Sequence, residues 1–432
     1  MIENSKTRTP VVEPSKPRLL EVLGPGLVTG AADDDPSGIA TYSQAGAQFG
    51  FQLGWTLLLT YPLMVVIQAI CARIGRTTGV GIAGNVRKHY PGWLLYAVVG
   101  ALMFANVCNI GADLGAMAEA ARLLIPAVPA WTFLVVLASV CAGGQIFMRY
   151  KRYVAILKWL TLSLFSYFAV LCVVRVPWSE FFVGLVWPHL TLDKNLWLMV
   201  AAIFGTTISP YLFFWQAAQE VEDTKTEPIR QPLLRRPKQG ERALARIRLD
   251  TVVGMAISNM VALAIMATSA ATLHGLKDRD IESAAQAAEA LRPLAGSFAF
   301  ALFSLGIIGT GLLAVPVLAG SAAYSLGEAR RWPVGLSRQP KQAKAFYATI
   351  ALATILGAVA NLAHISPIKA LVWSAVLNAI AAVPIMAVLM QMGSNTAVMG
   401  EFTISRRSRI VGWMATLIMG VASLGFILSL VI

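Results

Sequence analysis

Three consecutive aspartates, Asp33–Asp35, stand in the middle of an apolar stretch and are followed by Pro36, Ser37 and Gly38. Inside a membrane even one carboxylate costs roughly 2.5 kcal/mol or more, so it must face a cavity, a partner or a cation. Pro36 lacks a backbone donor and disfavours helical geometry in the residue before it. The run therefore predicts two half-helices joined by a few extended residues, whose carboxylates and freed carbonyls form an ion site of hard oxygens.

A second interruption of the same kind lies in the apolar residues 194–222, where Thr206–Ser209 directly precede Pro210. Taken alone, a serine–proline pair inside a span is more often a structural kink. Two interrupted spans at matching positions in two halves of a chain, however, indicate the central site of a transporter. We therefore predict that the two breaks meet. The alternative for the aspartates is that they cap helices at a membrane face.

A polar stripe within the apolar residues 93–124 is a further part of the predicted site. Asn106, Asn109 and Asp113 are spaced by three and four residues, so they share one face of a helix. Asp113 is either a second cation ligand or proton relay, or a buried carboxyl bonded to a neighbouring helix. Asn378, within the apolar residues 367–392, is a candidate for the ion pathway. Helix–helix hydrogen bonding is, however, the more frequent role of such a residue.

The composition indicates which elements must position these residues. Of the 432 residues, 57% are hydrophobic and 13% are charged, whereas soluble domains carry about 25% charged residues. This excludes a water-soluble enzyme and a nucleic-acid-binding protein, and it predicts an all-α polytopic membrane protein whose surroundings are a lipid bilayer. No resident cofactor is predicted, because the cysteines lack the spacing of a metal site and the four histidines fall at loops or span ends.

The chain divides into eleven apolar segments long enough to span a membrane. They cover residues 20–48, 52–72, 93–124, 130–148, 153–174, 194–222, 247–273, 296–326, 345–363, 367–392 and 408–432. With eleven spans, 28 of the 35 lysines and arginines fall on one side of the membrane and 7 on the other. Because these residues collect in cytoplasmic loops, we expect residues 1–19 to form a cytoplasmic tail. The C-terminus is then expected outside an inner (plasma) membrane.

The chain resembles the Nramp divalent-metal transporter family in the run GPGLVTGAADDDPSGIATYSQAGAQFG, followed by GWTLLL. The resemblance extends along most of the chain, including the interrupted sixth segment. It implies a LeuT-type fold of about eleven helices, built from two inverted five-helix repeats with helices 1 and 6 discontinuous. On this resemblance the first repeat covers residues 20–174, the second covers 175–392, and 393–432 add one C-terminal helix.

Typical members of that family carry Asp-Pro-Gly-Asn in helix 1 and Met-Pro-His in helix 6. The first motif falls here on Asp35, Pro36, Ser37 and Gly38, and the second on Ser209, Pro210 and Tyr211. Asp113 matches an aspartate of helix 3, but the glutamate three residues later is replaced by Ala116.

The resemblance implies that Asp35 is the main metal ligand and that backbone carbonyls near Ala32 and Thr206 complete the site. The predicted metal site therefore comprises Asp35, Ala32, Gly38, Thr206, Ser209 and Asp113. The predicted helix-break residues are Pro36, Ser37 and Pro210, and the pathway candidates are Asp34, Asn109, Tyr211 and Asn378.

The departures from the family motifs bear on the substrate. A serine at position 209 removes the only soft ligand, and a glycine at position 38 opens room. Hard oxygens in a roomier site suit Mg²⁺, and the pattern resembles the Nramp-related magnesium transporters. We therefore predict uptake of Mg²⁺ and/or Mn²⁺ by alternating access. Proton coupling is predicted to be weak or absent, because Tyr211 replaces the histidine and Ala116 replaces an acid.

Three other functions are compatible with parts of this pattern. The first is a proton-coupled Mn²⁺ or Fe²⁺ transporter like typical family members. The second is an amino-acid or other organic-substrate transporter of the same fold, which three aspartates disfavour because they would repel a carboxylate. The third is an intramembrane aspartyl protease using Asp35 and Asp113, but its Gly-x-Gly-Asp pattern is absent at Ile110–Asp113. The chain is therefore predicted not to be an enzyme.

Overall fold

The computed structural model describes residues 29–30, 32–148, 162–188, 193–226, 230–275, 280–363 and 365–430, and regular structure within these ranges is helical. The helices of eight residues or more are α1 (Pro36–Phe49), α2 (Gly54–Thr78), α3 (Ile82–His89), α4 (Gly92–Leu124), α5 (Ala130–Phe147), α6 (Ser166–Val173), α7 (Trp178–Val186), α8 (Lys194–Thr207), α9 (Pro210–Thr226), α10 (Gly240–Leu273), α11 (Ala299–Ala329), α12 (Lys344–Ala360), α13 (Pro367–Ser394) and α14 (Arg406–Ser429). Shorter α-helical turns cover Ala284–Ala288, Arg292–Ala295 and Thr396–Met399.

Nine helical stretches of the described residues are long and apolar enough to cross a membrane. They correspond to nine of the eleven predicted segments, with α8 and α9 forming one stretch. The prediction of an all-α polytopic membrane protein is confirmed. The first and fifth predicted segments fall partly outside the described residues, as does the whole tail of residues 1–19. The count of eleven and the boundaries of the two repeats therefore stay predictions.

Both predicted breaks are present. Residues 32 and 33 are helical, Asp35 is extended with φ −73° and ψ 171°, and α1 begins at Pro36. In the second break α8 ends at Thr207 and α9 begins at Pro210. In each case the proline lies at the first position of the following half-helix, where its missing N–H has no intrahelical partner to lose.

Small residues allow the broken helices to pack closely on α10 and α13. A Cβ atom added to Gly46 of α1 would lie 2.3 Å from the Met266 carbonyl oxygen of α10, and one added to Gly30 would lie 2.3 Å from the Gly254 carbonyl oxygen. In the second half, a Cβ atom at Gly205 of α8 would lie 1.8 Å from a backbone oxygen of α13. Backbone-to-backbone packing of this kind is how helices associate without a hydrophobic driving force between them.

The segment after α10 joins several helices at the end of the bundle where α1 finishes. The backbone N–H of Ile281 donates to Gln44 Oε1 of α1 at 2.9 Å. Lys369 of α13 pairs with Glu282 at 2.7 Å, and the N–H of Ala284 contacts Glu119 Oε1 of α4 at 3.3 Å. The segment therefore ties α1, α4 and α13 together at this end of the bundle.

The close packing of α1 on α10 gives a test of the fold. We expect Gly46→Ala to lower the free energy of unfolding by about 1–3 kcal/mol, because the added methyl group collides with backbone that cannot yield. The matched control is Gly100→Ala on α4, where no atom lies within 4 Å of the added Cβ. It should be neutral or stabilising by up to about 1 kcal/mol. Thermal unfolding in detergent measures both, and equal melting temperatures would contradict this packing.

Candidate cation site

Asp35 lies at the centre of the first break and caps the half-helix that follows it. Its Oδ1 accepts from the backbone N–H of Gly38 at 2.7 Å, and its Oδ2 lies 3.3 Å from the Tyr211 hydroxyl, for whose single proton it competes with the Ala32 carbonyl oxygen. The side chain is only 2% exposed. Asp35 therefore does cap a helix, but in the interior of the bundle and not at a membrane face, and two of its lone pairs remain for a cation.

Asp33 and Asp34 share one neutral partner, Ser258 of α10. The Ser258 hydroxyl lies 2.7 Å from Asp33 Oδ2 and 3.1 Å from Asp34 Oδ1. A hydroxyl carries a single proton, so it cannot donate to both carboxylates at once. Asp34, a predicted pathway residue, is thus held beside Asp33 on the α10 side of the break. Sequence reasoning missed Ser258, because one serine in an apolar helix carries no spacing signal.

The second break supplies oxygen atoms from α8 and α9. The Tyr211 hydroxyl donates to the Ala32 carbonyl oxygen at 2.9 Å, which joins the two breaks directly. The Ser209 hydroxyl lies 2.7 Å from the Gly205 carbonyl oxygen and 2.8 Å from the Thr206 carbonyl oxygen, and it donates its one proton to one of them at a time. Each of these carbonyls keeps a second lone pair. The predicted Ala32, Thr206 and Ser209 therefore retain acceptor capacity where the breaks meet.

Asp113, Asn109 and Asn378 are buried with every side-chain polar atom unpaired among the described residues. The backbone N–H of Ser37 lies near the carboxylates of both Asp35 and Asp113, without full hydrogen-bond geometry to either. The structure therefore brings the predicted Asp113 to the first break. Buried polar atoms are normally satisfied, so these side chains fit a site that takes up an ion with its waters.

Not every residue of the polar stripe on α4 belongs to this site. Asn106 donates from Nδ2 to the Leu318 carbonyl oxygen at 2.9 Å and to Ser321 Oγ at 2.7 Å, both on α11. Its role is helix–helix bonding, whereas Asn109, one turn later, makes no such bond. Ser37, predicted at the break, likewise ties α1 to α13 by donating to the Leu371 carbonyl oxygen at 3.1 Å.

Gly38 differs from its expected role. It reaches the site through its N–H, which donates to Asp35. The expected opening beside it is partly filled, because a Cβ atom at Gly38 would lie 3.2 Å from Tyr42 Cε2 and 3.3 Å from Thr206 Oγ1. The room predicted from the missing side chain is therefore smaller than expected, since the Tyr42 ring from the next turn of α1 occupies part of it.

The negative charge of the site is not balanced by an ion pair with a lysine or arginine in the described part of the protein. None of its ion pairs involves Asp33, Asp34, Asp35 or Asp113, and these four side chains are at most 5% exposed. No three His, Cys, Asp or Glu side chains of the described residues converge in a preformed metal cluster. A cation here would be held by one or two carboxylates together with carbonyl, hydroxyl and water oxygens, as Mg²⁺ usually is.

Comparisons with known proteins show the family to which this chain is similar. Residues 26–429 match the family model described as natural resistance-associated macrophage protein-like. The divalent metal cation transporter MntH of Klebsiella pneumoniae is 27% identical over 424 residues, which are 95% of this chain and 94% of the relative. The MntH of Ralstonia nicotianae is 27% identical over 421 residues, covering 94% and 90%.

Solved structures share the fold. A manganese transporter of Eremococcus coleocola is similar with a TM-score of 0.73 at 16% identity, covering 96% of this chain and 88% of that one. The nucleobase-cation-symport-1 family transporter Mhp1, in a closed conformation, is similar with a TM-score of 0.55 at 11% identity, covering 93% and 91%. The predicted LeuT-type architecture is thereby confirmed.

Two substitutions can separate the capping of α1 by Asp35 from its predicted role as a cation ligand. Asparagine caps a helix as well as aspartate does, whereas alanine costs about 1 kcal/mol at such a position. We expect Asp35→Asn to keep the melting temperature of the cation-free protein but to lose the stabilisation that added Mn²⁺ or Mg²⁺ produces. Asp35→Ala should lose both. A cation-induced shift in Asp35→Asn equal to that of the unchanged protein would show that Asp35 only caps α1.

Proposed function

The chain belongs to the Nramp family, as its first, third and sixth apolar segments indicated, and from this premise we propose that it carries a divalent cation across the membrane. Membership also confirms that the protein is a transporter and not an enzyme. The cation is proposed to bind between the two helix breaks, with Asp35 as the main ligand and Asp113 beside it. The proposed oxygen ligands also include Ala32, Thr206 and Ser209.

One observation carries this proposal: four aspartates at or near the first break are buried without a lysine or arginine partner among the described residues. Burying an unpaired ionised carboxylate is costly, so such groups are paired, protonated or bound to a cation. The hydrogen-bond donors around them, Ser258, Tyr211 and the Gly38 N–H, are neutral. They orient the carboxylates without cancelling their charge, which leaves the site attractive to a divalent ion.

We propose that hard ions are preferred and that Mg²⁺ is a substrate together with Mn²⁺. The atoms that meet at the breaks are oxygens of carboxylates, carbonyls, hydroxyls and amides, and such ligands suit Mg²⁺ and Mn²⁺ better than soft ions. Met117 lies one turn after Asp113 on α4, and its sulfur packs against Gly311 of α11, where an added Cβ would lie 2.3 Å from Sδ and 3.2 Å from Pro36 Cγ. We propose that this thioether serves the packing of α4 on α11 and does not replace the methionine missing at Ser209.

The second candidate function is proton-coupled Mn²⁺ transport. It is favoured by the relatives, which are called divalent metal cation transporters, and by the manganese transporter with the same fold. It differs from the main proposal in requiring a proton route. An organic substrate is less well supported, because the likeness to Mhp1 concerns the fold alone and the aspartates would repel an anionic group.

Alternating access with a cytoplasmic N-terminus completes the proposal. The non-helical link at Asp34 and Asp35 would allow the half-helix before Pro36 to move separately from α1, which is how broken helices gate a central site. The orientation rests on the distribution of lysine and arginine. With the inside negative, a divalent cation gains about 4.6 kcal/mol per 100 mV on entering, twice the value of about 2.3 for a single charge.

Introducing a thioether should change the selectivity. We expect Ser209→Met to raise the affinity for Cd²⁺ relative to Mg²⁺, because a soft ligand then lies among hard ones. Competition between Cd²⁺ and Mg²⁺ in proteoliposome flux measures the change. Met117→Leu is the matched control, since that sulfur packs against Gly311 and its loss should leave the ratio unchanged. Stronger binding of Cd²⁺ than of Mn²⁺ by the unchanged protein would refute the hard site.

Proton coupling is expected to be weak or absent. Tyr211 replaces the histidine of typical members, and an ordinary phenol, with a pKa of about 10, keeps its proton at physiological pH. Its hydroxyl is also engaged by Ala32 and Asp35. A pH-sensitive dye inside proteoliposomes at fixed membrane potential should report little acidification during Mn²⁺ or Mg²⁺ uptake. Acidification near one proton per ion would instead establish the second candidate function.

A further inference from the structure

Helices α2, α10 and α14 line a cavity, called the groove below, whose lining includes none of the residues of the candidate cation site. Its volume is about 800 Å³, and its walls are largely apolar. Val65, Val66 and Ala69 line it from α2, Val252 lines it from α10, and Val411 lines it from α14. At one end the Tyr61 hydroxyl donates to the Val252 carbonyl oxygen at 3.3 Å, which bridges α2 and α10.

The lining of this cavity is also basic, because each of the three helices contributes one arginine. These are Arg73 of α2, Arg248 of α10 and Arg407 of α14, and Ser405 and Ser408 line the cavity as well. Arg73 is positioned by its Nε, which donates to the Phe402 carbonyl oxygen at 2.9 Å. None of the three forms an ion pair with a carboxylate in the described parts of the chain. The apolar groove is thus lined by three guanidinium groups without a carboxylate partner.

The dimensions of the groove match one leaflet of a bilayer. Arg73 and Tyr61 are twelve residues apart on α2, which corresponds to roughly 18 Å along a helix. Half of a hydrocarbon core of about 30 Å is about 15 Å. Arg73 lies in the last two turns of α2 and Arg407 in the first turn of α14, so in the predicted orientation the groove would run from the headgroup level of that leaflet towards the middle of the membrane.

We propose that this groove binds one anionic phospholipid of the surrounding bilayer. The phosphate would lie against Arg73, Arg248 and Arg407, since one guanidinium group can donate two hydrogen bonds to two phosphate oxygens at once. The acyl chains would lie along the valine-lined walls. A free phosphate ion would use the arginines but would leave the apolar walls without a ligand. Basic pockets between transmembrane helices at the cytoplasmic side are typical of anionic lipid recognition.

The position of the groove gives a bound lipid a route to the cation site. Arg248 and Ser258, the partner of Asp33 and Asp34, lie on the same helix ten residues apart, or roughly 15 Å. A lipid that fixes α10 against α2 and α14 therefore also fixes the helix that holds two aspartates of the first break. Lipid binding itself can be measured without transport, so its test is independent of the proposed function.

The test is lipid binding by the full-length protein, measured by native mass spectrometry from detergent. Added phosphatidylglycerol is compared with phosphatidylcholine and with inorganic phosphate. We expect retention of phosphatidylglycerol and a roughly 30-fold weaker affinity in the double variant Arg248→Gln/Arg407→Gln, from about 1 kcal/mol per arginine near the surface. The matched control is Arg406→Gln/Arg409→Gln, which removes two exposed arginines of α14 that do not line the groove. It should keep the affinity within about twofold.

Three results would overturn the proposal. The first is equal phosphatidylglycerol affinity in the unchanged protein and in Arg248→Gln/Arg407→Gln at unchanged melting temperatures. The second is an equal loss in the Arg406→Gln/Arg409→Gln control, which would assign the effect to overall surface charge. The third is binding of phosphatidylcholine as strong as that of phosphatidylglycerol, or full displacement of the lipid by inorganic phosphate, which would remove the requirement for an anionic lipid.

Discussion

The burial of negative charge without a protein counter-charge is the constraint on which the rest of this structure depends. Asp33, Asp34, Asp35 and Asp113 lie together inside a helical bundle, where each ionised carboxylate is expensive. An arginine in their midst would lower that cost, but it would also occupy the place of a cation. Neutral donors hold the aspartates instead, so the stability of the site and its affinity for a cation arise from the same arrangement.

The helix breaks and the close helix contacts follow from that constraint. Pro36 and Pro210 interrupt two spans and free backbone carbonyls at the same depth. Glycines such as Gly46 and Gly205 then let α10 and α13 approach the broken helices at backbone distance. Interiors packed this closely leave few voids as large as a water molecule.

Sequence reasoning predicts the features that have a periodic pattern or are marked by helix-breaking residues. The apolar spans follow from hydropathy, and the breaks follow from proline next to polar residues inside an apolar run. The hydrogen-bond partners of individual side chains do not follow from the sequence. Asn106 and Asn109 share a helix face, yet only Asn106 meets acceptors on α11. Ser258 stands in an apolar helix without any motif, and the Tyr42 ring fills space that the glycine at position 38 suggested was open. These depend on which helices become neighbours and on side-chain direction.

The hydrogen bond between Tyr211 and the Ala32 carbonyl connects residues 179 positions apart in the chain. It joins the two interrupted helices at the point where the cation is proposed to bind. If the half-helix before Pro36 swings away, this bond must break, and the Ala32 carbonyl leaves the site with it. The outward- and inward-open forms would then offer different numbers of oxygens to the same ion. A ligand shifts a conformational equilibrium only through such a difference in affinity. The Tyr211 hydroxyl would therefore determine how strongly cation binding shifts the equilibrium between the outward- and inward-open forms.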